Sequence, residues 1–316
     1  MYKPVDDMET QTNLSSLSKD ILRSLIYSNL FRYPLTAKEL AVHSSLEGTK
    51  EEQVNEQLEE LVSQKLIRKD RGLFFLPHQT HGIVNRRMDG NTMAERHVNI
   101  AFRMSRIIAS FPFVRGIYLS GSISKGYMDR HSDIDYFIVT EPGRLWFART
   151  LLILFKKIFL LNSKKYFCMN YFVDNLHLEI QDKNIFTAKE LYSLIPTYSK
   201  DTYYHLLVAN QWAKEYLPNF TDRSTPFVIE NTSFIKYWME KLFSGKITNA
   251  LDTLCMKATE GFWRFKFRNQ AKAIGSIRCK KHVSKFHPKS FEFKILSSFY
   301  ADIANYERTY KVNLQV

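Results

Sequence analysis

The stretch LSGSISKGYMDRHSDIDYFIVT, residues 119–140, constrains the fold more tightly than any other part of the chain. It continues the segment FVRGIY and ends in DYFIVT. Both segments are rich in β-branched and aromatic residues, which fit a pleated, half-buried surface. They read as two strands, with Gly121 and Ser122 closing the first and Asp133 and Asp135 opening the second. Residues two apart on a strand emerge on the same face, so the two carboxylates share one.

Two carboxylates that close repel one another unless a cation lies between them. Hard oxygen ligands with open positions suit Mg²⁺, which is usually shared between protein carboxylates and substrate phosphates. The Gly-Ser end meets the same chemistry from the other side. Where a strand runs into a helix, several backbone N–H groups lack partners and the helix dipole adds positive charge, which favours an anion. Gly121 lets the backbone approach a phosphate closely. The Ser122 hydroxyl adds a donor, and Gly126 relieves the chain as it leaves the short helix. A phosphate cradle beside a metal-binding pair suits phosphoryl or nucleotidyl transfer.

The neighbouring segments supply a frame for that site. Residues 91–110 form an amphipathic helix that Phe111 and Pro112 end, residues 143–161 a largely buried helix, and KKYFCMNYFVD a third strand. LHLEI extends that strand or pairs beside it. Strands alternating with helices predict an α/β (α+β) core with a small mixed sheet over residues 83–186. From Thr187 to residue 316 the pattern is helical throughout.

Residues 17–82 have a different rhythm. Leu22, Leu25 and Ile26 mark a first helix, Thr36 and Glu39 cap a second, and Val54, Leu58, Leu61 and Val62 face inward on a third. A hairpin turning at Asp70, Arg71 and Gly72 completes a unit that resembles a winged helix-turn-helix domain. In such folds the third helix enters the major groove. Here it carries Glu51, Glu52, Glu56, Glu59 and Glu60 against Lys50 and Lys65, which phosphates would repel. A protein-interaction or scaffold role is the stronger expectation, although Arg68, Lys69 and Arg71 make the hairpin basic.

Charge is spread unevenly along the rest. Between Met256 and Lys294, eleven basic residues face only Glu260 and Glu292, so this segment supplies +9 of the net +13. Such a block suits phosphate-bearing partners, nucleotide or polynucleotide, or else forms a solvated basic face. Phe262, Trp263, Phe265 and Phe267 alternate with charge there, as base-stacking rings or as a face covering the core. Cys168, Cys255 and Cys279 give neither a disulfide framework nor a zinc pattern, and adding His282 and His287 does not make one. Residues 1–16 read as a flexible polar tail without an apolar signal segment. Arg149, Lys156 and Lys157 interrupt the one long apolar run. The expectation is a cytoplasmic protein with no membrane partner.

The segment GSISKGYMDRHSDID resembles the signature of the polymerase β-type nucleotidyltransferase superfamily, and most of all its minimal stand-alone domains. The resemblance spans roughly residues 90–185. It implies that Gly121 and Ser122 hold the triphosphate of an NTP, ATP first among them, and that Asp133 and Asp135 bind two Mg²⁺ ions. One ion would activate an acceptor hydroxyl and the other would neutralise the leaving pyrophosphate. It also implies a third carboxylate on a neighbouring strand. Glu179, between Leu178 and Ile180, is the first candidate and Asp174 the second, while Asn170 sits mid-strand where an acid would be expected.

Two functions follow. The first is an Mg²⁺-dependent transferase moving a nucleoside monophosphate to a hydroxyl on a small molecule, RNA end or protein. Asp133, Asp135 and Glu179 would be its catalytic residues, and the helical region 187–316 would form the acceptor side. The second is a catalytically weak or inactive nucleotide-sensing regulator whose N-terminal domain conveys the signal. Asn170 in the third position would favour the second.

Overall fold

The computed structural model describes residues 14–80, 82–163, 165–221, 228–230, 233–269, 277–286 and 291–315. Most of the expected N-terminal tail, together with Lys272, His287 and Lys289, lies outside these residues. The chain forms two compact units.

The first unit comprises residues up to Arg87, with Leu217–Thr221 and the chain from Lys294 onward. Helices α1 (Ser16–Asn29), α2 (Ala37–His43) and α3 (Glu51–Ser63) are followed by strands β1 (Arg68–Asp70) and β2 (Leu73–Phe75), paired antiparallel. Ser15 caps α1 by accepting from Ser18 N, and Thr36 and Glu39 form a reciprocal capping box on α2. Leu22, Leu25 and Ile26 are buried, as are Val54, Leu58 and Leu61. Arg71 and Gly72 both take positive φ, the backbone of a two-residue hairpin turn. All five glutamates of α3 are exposed. The C-terminal helix Phe291–Tyr310 gives this unit Phe299, edge-on to Tyr27, and Tyr306, whose hydroxyl donates to the Leu66 carbonyl.

The second unit is built on a mixed sheet. Its strands are β3 (Val114–Ser120), β4 (Asp135–Thr140), β5 (Cys168–Asp174), β6 (Ile195–Tyr198), β7 (Ile277–Lys280) and β8 (Val283–Phe286), in the order β6-β3-β4-β5-β8-β7. Only β4 and β5 run parallel, and the chain crosses between them through helix α6 (Leu145–Phe159). Helix α4 (Gly82–Ala109), from Met88 onward, covers the core formed by Ile117, Leu119, Ile138, Trp146 and Phe172. The fold is therefore the expected nucleotidyltransferase-like α+β core with helices following it. Residues 187–316 are not helical throughout, however, because they contribute β6, β7 and β8. Strands of four residues are too short to carry a periodic signal, and Pro196 in β6 hides it further. Residues 177–180 form no strand.

Helix α10 (Lys246–Lys266) is tied to the sheet layer by a buried carboxylate. Asp252 Oδ1 accepts from the backbone of Trp146 at 2.7 Å and Phe147 at 2.9 Å, capping α6 from outside its own sequence. Lys281 reaches its other oxygen at 3.3 Å. Two more cations of the basic segment are paired across the sheet: Arg278 and Lys285 both with Asp182, and Lys285 also with Glu292. Asp252→Ala leaves two buried N–H groups without partners and should cost about 2–4 kcal/mol, measured by denaturant unfolding. Asp252→Asn, which keeps one acceptor oxygen, should recover part of that.

Helix α9 (Phe234–Leu242) is anchored by a buried amine. Lys236 Nζ donates to the carbonyls of Ala109 (3.0 Å) and Val114 (2.6 Å) and to the Tyr198 hydroxyl (3.2 Å). Burial, with Arg115 nearby and partly offset by Glu240, lowers its pKa from 10.5 to about 8. The folded state therefore loses this proton before the unfolded chain does. The contribution of Lys236 to stability should rise as pH climbs from about 8 towards 10.5. Melts of wild type and Lys236→Met across this range should show the wild type gaining on the variant.

Candidate active site

The ends of β3 and β4 meet where the sequence places its motif. Ser120 and Asp135 are in register, so the chain leaves β3 directly beside the carboxylate that opens β4. Gly121 takes φ +69° and begins the short helix α5 (Gly121–Ser124). A Cβ at Gly121 would stand 2.4 Å from Asp135 Oδ2, so only glycine allows this approach. Among the described residues the Ser122 hydroxyl makes no hydrogen bond, while its carbonyl accepts from Lys125 N and Tyr127 N. Gly126, also at positive φ, turns the chain out of α5, and its carbonyl accepts from Asn91 of α4.

The link to the aspartates is held locally. Asp129 Oδ1 accepts from His131 N and from the Ser132 hydroxyl, both at 3.0 Å, and Ser132 Oγ accepts from Asp129 N at 2.9 Å. His131 itself is exposed. Ile134 is fully buried and bonded through its backbone to Lys165 and Cys168. Ile134 is turned into the core between Asp133, just before β4, and Asp135, its first residue; both carboxylates are half-buried and close enough to repel one another.

The neighbouring strand decides the character of the site. Cys168 opposes Asp135, but the register slips between Tyr136 and Phe137, and Asn170 is the residue left over. Bulges re-aim side chains in this way. Asn170 Nδ2 donates to Asp135 Oδ1 at 2.9 Å and contacts Cys168 Sγ at 3.1 Å. Thus a neutral amide, not an acid, borders Asp135 from β5.

The other candidates lie elsewhere. Glu179 is outside the sheet and pairs with Lys183 at 2.7 Å. Asp174 is in register with Thr140, at the opposite end of β5, roughly 17 Å along the strand from the level of Asp135. It is buried and accepts from Leu176 N and from His177 Nδ1. Arg149 is buried with its guanidinium over the rings of Trp146 and Trp263, so it braces α6 against α10. Trp263 is buried as well, which removes it from the candidate stacking surface.

Three further side chains at the site, Cys168, Lys125 and Glu190, were not among the expected site residues. Burial pushes the Asp135 carboxyl up to about 6; a hydrogen bond from Cys168 opposes this, while Asp133 and Glu190 repel it further and Lys125 offsets them. Burial and the same aspartate push the Cys168 thiol up to about 12, so it stays protonated and donates. Glu190 lies on α7 (Ile185–Tyr192) and pairs with Lys125 at 2.5 Å. Lys125 Nζ is also 3.5 Å from the Gly121 carbonyl. Lys125 falls inside the motif and was within reach of sequence reasoning; Glu190 is 65 residues further on and was not.

Among the described residues, no group of three or more His, Cys, Asp and Glu side chains is arranged to hold a metal ion. Asp133 and Asp135 alone still fit Mg²⁺, which is commonly bound by one or two carboxylates and completed by substrate phosphates and water.

Residues 104–203 match the family model of a nucleotidyltransferase domain. That segment runs from α4 through β3, β4, β5 and β6 into α8 (Lys200–Ala209) and contains every residue of the site named above except Asn91. It supports nucleotidyl transfer as the general activity. No curated protein and no solved structure matches the chain at a significant level.

The contact between Gly121 and Asp135 can be measured by itself. Gly121→Ala should destabilise the fold by more than the about 1–2 kcal/mol expected for a side chain at positive φ. In an Asp135→Ala background the excess should disappear, because the clashing carboxylate is gone.

Proposed function

From a nucleotidyltransferase domain over residues 104–203, and with it membership of the nucleotidyltransferase superfamily, we propose that this chain moves a nucleoside monophosphate from an NTP to a hydroxyl acceptor. ATP is the first candidate donor, and a small molecule, an RNA end or a protein the acceptor. The observation that carries the reading is the meeting of Gly121 with Asp135, which sets a Gly-Ser turn against a carboxylate that Asp133 neighbours.

The residues divide the work by their chemistry. The backbone of Gly121 and the unengaged hydroxyl of Ser122 would orient the triphosphate. Asp133 and Asp135 would hold Mg²⁺ together with phosphate oxygens. Bound there, the ion supplies charge neutralisation and activation of the attacking hydroxyl. Asn170 keeps Asp135 in one orientation through its amide and cannot accept the acceptor's proton. Lys125 offers a positive charge beside the turn, held back by Glu190.

Asn170 also favours a second reading, in which the site binds nucleotide but turns it over slowly or not at all. The protein would then act as a nucleotide-sensing regulator, with the N-terminal helices and hairpin as the winged-helix-like output.

Incubation with α-labelled NTP in a cell extract separates the two. Wild type should label an acceptor in a Mg²⁺-dependent way, and Asp133→Asn/Asp135→Asn should not. Asn170→Asp, which restores an acid at the bulge, should raise the rate at least about tenfold. Mg²⁺-dependent nucleotide binding without transfer would establish the sensor. Absence of binding would remove both.

A further inference from the structure

Helix α10 has two unlike apolar faces. Thr248, Asp252 and Trp263 are buried where it packs on α6. Roughly a quarter-turn or more away, Ile247, Leu254 and Phe265 are 78%, 62% and 68% exposed. Their spacings of seven and eleven residues are near-whole numbers of helical turns, so they form one stripe along the helix. Lys246, Lys257 and Arg264 repeat at the complementary spacings of eleven and seven and line one edge of it, all exposed. Asp252 faces inward, and the remaining acid, Glu260, is already paired with Arg264 at 2.7 Å.

The exposed rings are interleaved with cations. Lys266 Nζ lies 5.8 Å from the centre of the Phe262 ring, and the Arg268 guanidinium 5.0 Å from that of Phe265. Helix α9, three residues earlier in the chain, repeats the character: Phe234, Trp238 and Leu242 are exposed at four-residue spacing, with Lys241 over Trp238. Side chains of this kind lay apolar bodies into a boundary and keep charged ends in the polar layer.

We propose that this face of α10 rests on an anionic phospholipid surface, with the Ile247–Leu254–Phe265 stripe at the acyl boundary and the Lys246–Lys257–Arg264 edge among headgroup phosphates. No described helix is long and apolar enough to cross a membrane, so the contact is with the surface alone. Charge complementarity selects the occupant. A second copy would set an identical basic edge near this one in a chain that already carries +13. Nucleic acid would engage the aromatic and basic residues but gives Ile247 and Leu254 nothing to bury against. An anionic bilayer answers both halves of the pattern.

The test uses the full-length protein in flotation with vesicles of phosphatidylcholine alone, or mixed with phosphatidylglycerol. It should float with the anionic vesicles only, and less so as salt is raised. Leu254→Glu/Phe265→Glu and Lys257→Glu/Arg264→Glu should each lower the bound fraction at least about tenfold with unchanged melting, since all four side chains are exposed. Should the first variant melt early, Leu254→Ser/Phe265→Ser repeats the measurement. No flotation, or flotation indifferent to loss of the apolar pair, overturns the proposal. So does a dimer, or an RNA complex, that the apolar double variant dissolves while vesicles remain unbound.

Discussion

Asp135 is a half-buried carboxylate at the mouth of a sheet, and the structure around it is organised by the need to accommodate that charge. Burial alone disfavours the ionised form, and Asp133 beside it makes matters worse. What offsets this is short-range: a thiol and an amide donated from β5, and a lysine brought round by α5. Gly121 is the geometric counterpart. Any side chain there would push the carboxylate out of this arrangement, so the glycine of the motif is required by Asp135 as much as by a phosphate.

This dependence explains which parts of the site were legible in the sequence. Asp135 could be placed at the head of a strand beside the Gly-Ser turn because the pattern is local, and the Thr36–Glu39 capping box and the inward residues of α3 follow from equally local rules. The third position is not local. It depends on a bulge that inserts Asn170 opposite Tyr136 and Phe137, and no pattern within β5 announces a slip of one residue. Glu179 looked strand-borne because Leu178 and Ile180 flank it. Both are buried, but from a segment without strand pairing, and the alternation reflects packing under a loop.

The basic C-terminal segment is less freely charged than its composition suggests, for a related reason. Counting its charges suggests a polyanion surface, yet the hairpin β7–β8 completes the sheet, and its cations spend themselves on Asp182, Glu292 and Asp252. The partners are remote in sequence for Arg278, Lys281 and Lys285, so composition overstates the free charge. Arg268, Lys280 and Lys294 stay exposed off α10, and on α10 exposed cations share the surface with apolar residues. In the N-terminal unit the opposite holds: the five exposed glutamates of α3 are a net negative face, which sets that helix against phosphate wherever it is presented.

The amide at position 170 bears on chemistry through charge. An amide in place of a carboxylate leaves the cluster with one negative charge fewer and without an oxygen that could take up a proton. It also spares Asp135 a further like charge beyond those of Asp133 and Glu190. Glu190 restores one negative charge at the site from a helix, not a strand, but it is spent on Lys125. In the proposed function, an anionic triphosphate would compete for that lysine. Nucleotide binding and release of the Glu190 carboxylate would then, in that function, be coupled by simple electrostatics.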